Sequence, residues 1–75
     1  MSRRPKPRLK RTYTVPEAAA ILDRTDRTVR RMVRAGLLRS IQAPGGRRVL
    51  AADIWAYLRW GRGAARERAR LRGAG

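Results

Sequence analysis

The 75-residue chain contains no cysteine, no histidine and no phenylalanine. Without cysteine, neither a disulfide framework nor a cysteine-bearing zinc site is available to stabilise so short a fold. Without histidine, the chain loses the commonest metal ligand and the commonest general base near neutral pH. Its five acidic residues are scattered among twenty cations. No catalytic constellation can be assembled from them, so neither an enzyme nor a cofactor is expected. No apolar run approaches the roughly 20 residues that span a bilayer, and the first residues carry no apolar core of a signal peptide. The expected location is the cytoplasm. A chain of this length makes one domain, with a modest core.

What is present is positive charge. Twenty Lys and Arg against five Asp and Glu leave a formal +15, with a sequence pI near 12.0. Charge of this size, on a chain that also carries folding patterns, implies an anionic partner, nucleic acid or an anionic membrane. Lys6 and Lys10 are the only lysines, so the other eighteen cations are arginines. Arginine forks onto phosphates and guanine edges in a way that a lysine point charge does not. A GC-rich genome also spells its cations with arginine, so the bias alone decides nothing.

The chain divides into three segments. Residues 1–11 hold Arg3, Arg4, Lys6, Arg8, Lys10 and Arg11, two prolines, and only Met1 and Leu9 as sizeable apolar groups. This composition reads as a disordered basic arm, whose six cations are expected to bind DNA whatever its sequence. Residues 12–60 carry nearly all the patterned apolar positions. Residues 61–75 form a glycine-punctuated basic tail with five arginines and one acid, Glu67.

Within the middle segment, Thr14-Val15-Pro16-Glu17 has capping-box spacing, and proline is tolerated in a first helical turn. Val15, Ala18, Ala19 and Leu22 then recur at i, i+3, i+4 and i+7, an apolar stripe on a short helix that stops near Asp23-Arg24. Thr25 is an N-cap for a second helix, with Asp26 at its positive end. Val29, Met32 and Val33 form its inner face, and Gly36 supplies a left-handed stop. Two short helices across a turn of about three residues make a helix-turn-helix.

The outer face of the second helix is more informative. Arg27, Arg30, Arg31 and Arg34 fall at i, i+3, i+4 and i+7, opposite the apolar residues. A solvated face usually mixes signs, because like charges at these spacings repel by a few tenths of a kcal/mol per pair. An all-arginine face therefore favours contact with an anionic surface, here DNA.

After Gly36 the pattern turns to strand, with Leu37, Leu38 and Ile41 apolar and Arg39 and Ser40 between them. Pro44-Gly45-Gly46 is a turn in which both glycines accept positive φ, and Arg47, Arg48, Val49 and Leu50 return as a second strand. The product is a hairpin with a basic tip. Beside an arginine-faced helix, Arg47 and Arg48 become backbone or minor-groove contacts; an exposed basic loop touching nothing is the other reading. A third helix starts at Ala51 or Ala52, carries Asp53 in its first turn and Ile54, Tyr57 and Leu58 on one face, and ends at Gly61. Of Trp55 and Trp60, one should close the core. The other, if exposed, suggests a protein contact.

Taken in order, Thr14-Val15-Pro16-Glu17-Ala18-Ala19, then Thr25 to Gly36, then Gly45-Gly46-Arg47-Arg48, then Ala52-Asp53-Ile54-Trp55-Ala56-Tyr57-Leu58 resemble the excisionase-type branch of the MerR-like winged-helix family. The resemblance covers residues 13 to about 60 and rests on the ordered set rather than on one motif. It implies a mainly α fold of three short helices with a two-stranded wing. It also implies that Arg27, Thr28, Arg30, Arg31 and Arg34, on a recognition helix opened by Thr25, enter the major groove, while Arg47 and Arg48, on the wing with Gly45 and Gly46, approach the adjacent minor groove. Relatives of this kind include phage excisionases, which bind and bend double-stranded DNA beside an attachment site and steer an integrase toward excision. Small stand-alone transcription regulators share the fold.

The turn in such relatives usually reads Gly-apolar-Ser, with the apolar residue tucked into the core. Here it reads Asp23-Arg24-Thr25, which makes Arg24 a candidate phosphate contact instead. Full MerR regulators continue into a dimerisation helix and an effector domain. Residues 64–71 are compatible with helix but lack a heptad seam, so no small-molecule effector is expected. The expected behaviour is a monomer that self-associates along DNA. A membrane-surface reading fails, since the face opposite the arginines is needed for packing. An RNA reading lacks the aromatic platforms such modules use.

Overall fold

A computed structural model describes residues 10–73 of the chain, and the two threonines read as helix starts occupy those positions. Thr14 is extended, and its hydroxyl accepts the Glu17 N–H at 3.3 Å while Glu17 Oε1 accepts the Thr14 N–H at 2.9 Å. This reciprocal box satisfies two otherwise orphaned donors and opens α1, Val15–Leu22, whose buried residues are Val15, Ala18, Ala19 and Leu22. The Thr25 hydroxyl accepts the Thr28 N–H at 3.1 Å and opens α2, Asp26–Arg34.

Both helices end by one device. The Arg24 N–H reaches back to the Ala19 carbonyl at 2.9 Å across Asp23, which is left-handed at φ 59°. The Leu37 N–H reaches back to the Met32 carbonyl, also at 2.9 Å, across Gly36 at φ 84°. These are Schellman-type closures. Glycine enters that region without a Cβ penalty, and aspartate is among the few other residues that visit it. The helix-turn-helix is thus closed by local chemistry at every end.

The hairpin pairs β2, Ser40–Ala43, antiparallel with β3, Gly46–Leu50, so that Ala43 faces Gly46 and Ser40 faces Val49. Pro44 and Gly45 form the turn. Of the two glycines only Gly46 takes a positive φ, 127°; Gly45 keeps an ordinary one, so a single left-handed residue suffices. The sheet also gains a strand beyond the expected two. Thr12–Thr14, β1, pairs antiparallel with the other edge of β3, Tyr13 opposite Val49, giving the order β1-β3-β2. A Thr-Tyr-Thr triplet suits that place, because β-branched and aromatic residues fit a pleated, half-buried surface.

The last element, α3, runs Ala51–Leu71 but breaks at Gly61, whose φ of 87° and ψ of −177° are not helical. Gly61 thus ends the first half as expected. The second half begins at once and folds back, with Ala65 and Ala69 buried and Ala65 part of the core. Leu38, Ile54, Val29 and Val49 are the largest fully buried side chains, from the loop after α2, α3, α2 and β3.

Two expected inward positions face out. Ile41 is 46% exposed, because the register sets it opposite Arg48, on the face away from the buried Val49. Leu58 is 51% exposed; the buried line of α3 runs through Ala51 and Ile54 and passes after the break to Ala65 and Ala69. The two tryptophans also separate. Trp55 packs at the core edge against Tyr13, edge to face at 6.1 Å, and Trp60 is 62% exposed. Three helices and a three-stranded antiparallel sheet make a helix-dominated winged helix-turn-helix.

Candidate nucleic-acid interface

The inner side of α2 is fixed by Val29 and Met32, both buried. That leaves Arg27, Arg30, Arg31 and Arg34 exposed, spread over an arc of about 100° at 3.6 residues per turn. With Asp26 they line an open trough along the helix. Thr25 and Thr28 play a different part: the Thr25 hydroxyl caps the helix and donates to Thr28 Oγ1 at 3.0 Å. Thr28 is half-buried, beside Arg24, Arg31 and Arg62.

The arginine face and the wing converge. An open groove of about 870 Å³ has Arg30 and Arg34 of α2 on one wall and Gly45, Gly46, Arg47 and Arg48 of the wing on the other. Thr14, Val15 and Pro16 at the start of α1, and Leu38, Arg39 and Arg72, line the groove as well. The two arginine groups, separate in sequence, share one cavity. Six guanidinium groups line it. Low-dielectric walls carrying one sign of charge focus the field into such a cleft.

The wing arginines are held by the sheet. Arg47 donates to Ser40 Oγ at 2.7 Å and stays exposed. Arg48 is half-buried; it donates through Nε to Thr12 Oγ1 at 2.8 Å and through NH2 to the Thr12 carbonyl at 3.4 Å. It therefore ties β1 to β3 as well as lining the groove.

Arg39 is held more firmly. Its backbone N–H donates to Asp53 Oδ2 at 2.7 Å, its NH2 to Oδ1 at 2.8 Å, and its Nε lies 3.0 Å from Oδ2. Asp53 is 3% exposed. Burial alone would raise its carboxyl, but the hydrogen bonds from the Arg39 side chain and backbone outweigh that, and it is held below the usual carboxylate value. The side-chain hydrogen bonds to Asp53, and then its charge, push the Arg39 guanidinium up. Asp53 stands in the first turn of α3, where the helix dipole also favours a negative charge.

Of the basic arm, Arg3, Arg4, Lys6 and Arg8 lie outside the described residues. Lys10 turns back on the domain: its Nζ donates to Glu17 Oε2 at 3.0 Å and lies 5.1 Å from the Tyr13 ring centre. The Thr14 N–H first, and then Lys10, lower the Glu17 carboxyl from its ordinary value. Arg11 is exposed, and its carbonyl accepts the Ala51 N–H at 2.9 Å.

Sequence reasoning missed Arg39 and Arg72 as groove residues. Arg39 had a local signal, alternation in a strand-like stretch, but its partner lies fourteen residues away. Arg72 reaches the groove only because the chain turns back at Gly61, and its NH2 then donates to the Gly36 carbonyl at 2.7 Å. Among the described residues no helix is long and apolar enough to cross a membrane. A family model described as a helix-turn-helix domain matches residues 12–70. No curated protein and no solved structure matches the chain.

Proposed function

The chain belongs to the helix-turn-helix domain family, a family of DNA-binding domains, and from that premise we propose that it is a sequence-specific, DNA-bending architectural protein of the excisionase kind. It performs no chemistry of its own. It places protomers on the arm of an attachment site and directs an integrase toward excision, in the cytoplasm of a bacterial host.

The observation that carries this reading is the convergence of Arg30 and Arg34 with the wing on one groove. An α-helix fits the major groove of B-DNA, where arginine reads guanine O6 and N7 with two hydrogen bonds. In this reading Arg27, Arg30, Arg31 and Arg34 face base edges, with Thr28 beside them and Thr25 holding the helix start. Arg47, carried by the Gly45-Gly46 turn, follows the backbone toward the adjacent minor groove, with Arg48 behind it. Arg11 and the arginines of the arm supply sequence-independent attraction to phosphate. Cations on the wing, on α2 and beyond α3 favour DNA that curves to meet them, and bending energy then adds specificity at bases never touched.

Self-association is supported by a second surface. Trp60 and Leu58 are exposed on α3, Trp55 lies beside them, and Arg59 stands 5.4 Å from the Trp60 ring centre. No residue of that patch lines the groove. Protomers that meet through Trp60 can therefore keep their reading heads on DNA.

The test is a gel-shift titration on a fragment spanning an attachment arm. The expected result is a ladder of successive, cooperative complexes with increasing bend, and Trp60→Ala keeps the first complex but loses the ladder. A single unbent complex on a promoter, with no effect on recombination, would assign the chain to stand-alone transcription regulation on the same fold.

A further inference from the structure

We propose that Arg39 and Arg72 form a separate phosphate grip in the groove, preorganised by buried Asp53, and that the chain just past α3 is thereby part of the DNA-binding surface. The proposal rests on reading the groove as a DNA interface. It goes beyond that reading in adding two residues and a segment that neither the recognition helix nor the wing contains.

The first argument concerns donors. Asp53 engages the backbone N–H, Nε and NH2 of Arg39, and among the described residues NH1 has no hydrogen-bond partner. The Arg39 side chain is nonetheless half exposed and lines the groove. Arg72 spends one NH2 donor on the Gly36 carbonyl and is otherwise exposed in the same groove. It also adds to the field that keeps Asp53 ionised. Two guanidinium groups thus stand around a single carboxylate whose oxygens are already taken. A group that accepts from both, and restores neutrality, is a phosphodiester with its two non-bridging oxygens.

The second argument concerns geometry. Guanidinium groups on long side chains lose rotamer freedom when they bind, and a preset conformation removes part of that cost. Asp53 presets Arg39 through three donors. The Gly36 carbonyl, at the negative end of α2, presets Arg72. Arg72 in turn depends on the break at Gly61, since a straight continuation would carry residues 62–73 away from α2. The grip is therefore built by residues from three places: the loop after α2, which holds Gly36 and Arg39, the start of α3, and Arg72 just past its end. A backbone contact of this kind fixes register without reading sequence.

The experiment measures affinity of the full chain for duplex DNA across a salt series. Arg72→Gln is expected to bind every duplex roughly fivefold more weakly near physiological salt, with the slope of log affinity against log salt reduced by about 0.9. Discrimination between sequences stays as in the parent chain, and Arg72→Lys recovers most of the slope. Arg66→Gln, an exposed position on α3 outside the groove, controls for total charge and leaves the slope higher than Arg72→Gln does. Thermal melting of each variant separates loss of fold from loss of contact. If Arg72→Gln and Arg66→Gln have equal slopes while Arg30→Ala still weakens binding, the grip is wrong and the DNA reading stands. If the parent chain binds no duplex, both fall. Inorganic phosphate at constant ionic strength is expected to compete no better than chloride; selective competition lost in Arg72→Gln would make this a free-anion site and overturn the proposal.

Discussion

Asp53 is the one buried charged residue among those described, and its cost is offset locally. A buried carboxylate left unpaired would neutralise itself rather than stay charged. Here Arg39 supplies three donors at 2.7 to 3.0 Å, and the lowered carboxyl pKa is the signature of that support. The consequence for pH has a definite sign. A group whose pKa is lower folded than unfolded stabilises the fold above its unfolded value and stops doing so as pH falls through the folded one. With no histidine in the chain, stability should be flat between about pH 5 and 7 and fall below about pH 4, the ordinary aspartate range. Glu17, lowered by the Thr14 N–H and Lys10, acts in the same direction. Asp53→Asn should cost about 1–2 kcal/mol at neutral pH and make the acid loss shallower, because one charged partner is gone. Thermal melts from pH 3 to pH 7 check both parts; parallel curves for parent and variant would show that Asp53 does not set the acid limit.

At the scale of elements, the turn between α1 and α2 carries a testable strain. Gly36 and Asp23 do the same job at the two helix ends, but only Gly36 does it without a Cβ. A non-glycine residue in the left-handed region costs about 1 kcal/mol, less for aspartate than for alanine or a β-branched residue. Asp23→Gly should therefore leave the melting temperature equal or slightly higher. Asp23→Ala should cost about 1 kcal/mol and Asp23→Val more. An alanine variant as stable as the parent would mean that the Schellman closure at Asp23 is not what ends α1. Local chemistry of this kind is also what made the fold legible. As caps and stops, Thr14, Thr25, Gly36 and Gly61 each act within four residues of themselves, so those effects can be read from the string. Non-local pairing could not. The partner of Tyr13 is Val49, and the side of Ile41 depends on a register set by β3. The candidate site divides along the same line. Arg27, Arg30, Arg31 and Arg34 follow from helical spacing, and Arg47 and Arg48 from a glycine turn. Arg39 and Arg72 depend on contacts across fourteen and thirty-six residues, with Asp53 and Gly36.

At the scale of the whole molecule, the opposing terms are a small core and a charge of +15. Self-repulsion of that size destabilises a compact state, and a core whose largest fully buried side chains are Leu38, Ile54, Val29 and Val49 has little to spare. DNA bound as proposed would relieve the repulsion, coupling folding and binding through the same arginines. Most of those charges contribute attraction without information, because phosphate contacts are alike on every sequence. In the proposed reading, information comes from the few side chains that α2 would deliver to base edges. Arg30 and Arg31 are the test of this division, since they flank the centre of the exposed arc and lean toward opposite sides of α2, Arg30 lining the wing groove and Arg31 the depression that holds Thr28. Replacing either with alanine should cost about 1–3 kcal/mol on the preferred site and much less on unrelated DNA. The ratio of the two affinities, measured at one fixed salt concentration, is the quantity that must fall. A variant that loses affinity equally on both would place its arginine on the backbone, and the base-reading role would pass to Arg27 and Arg34, the other two cations of the face.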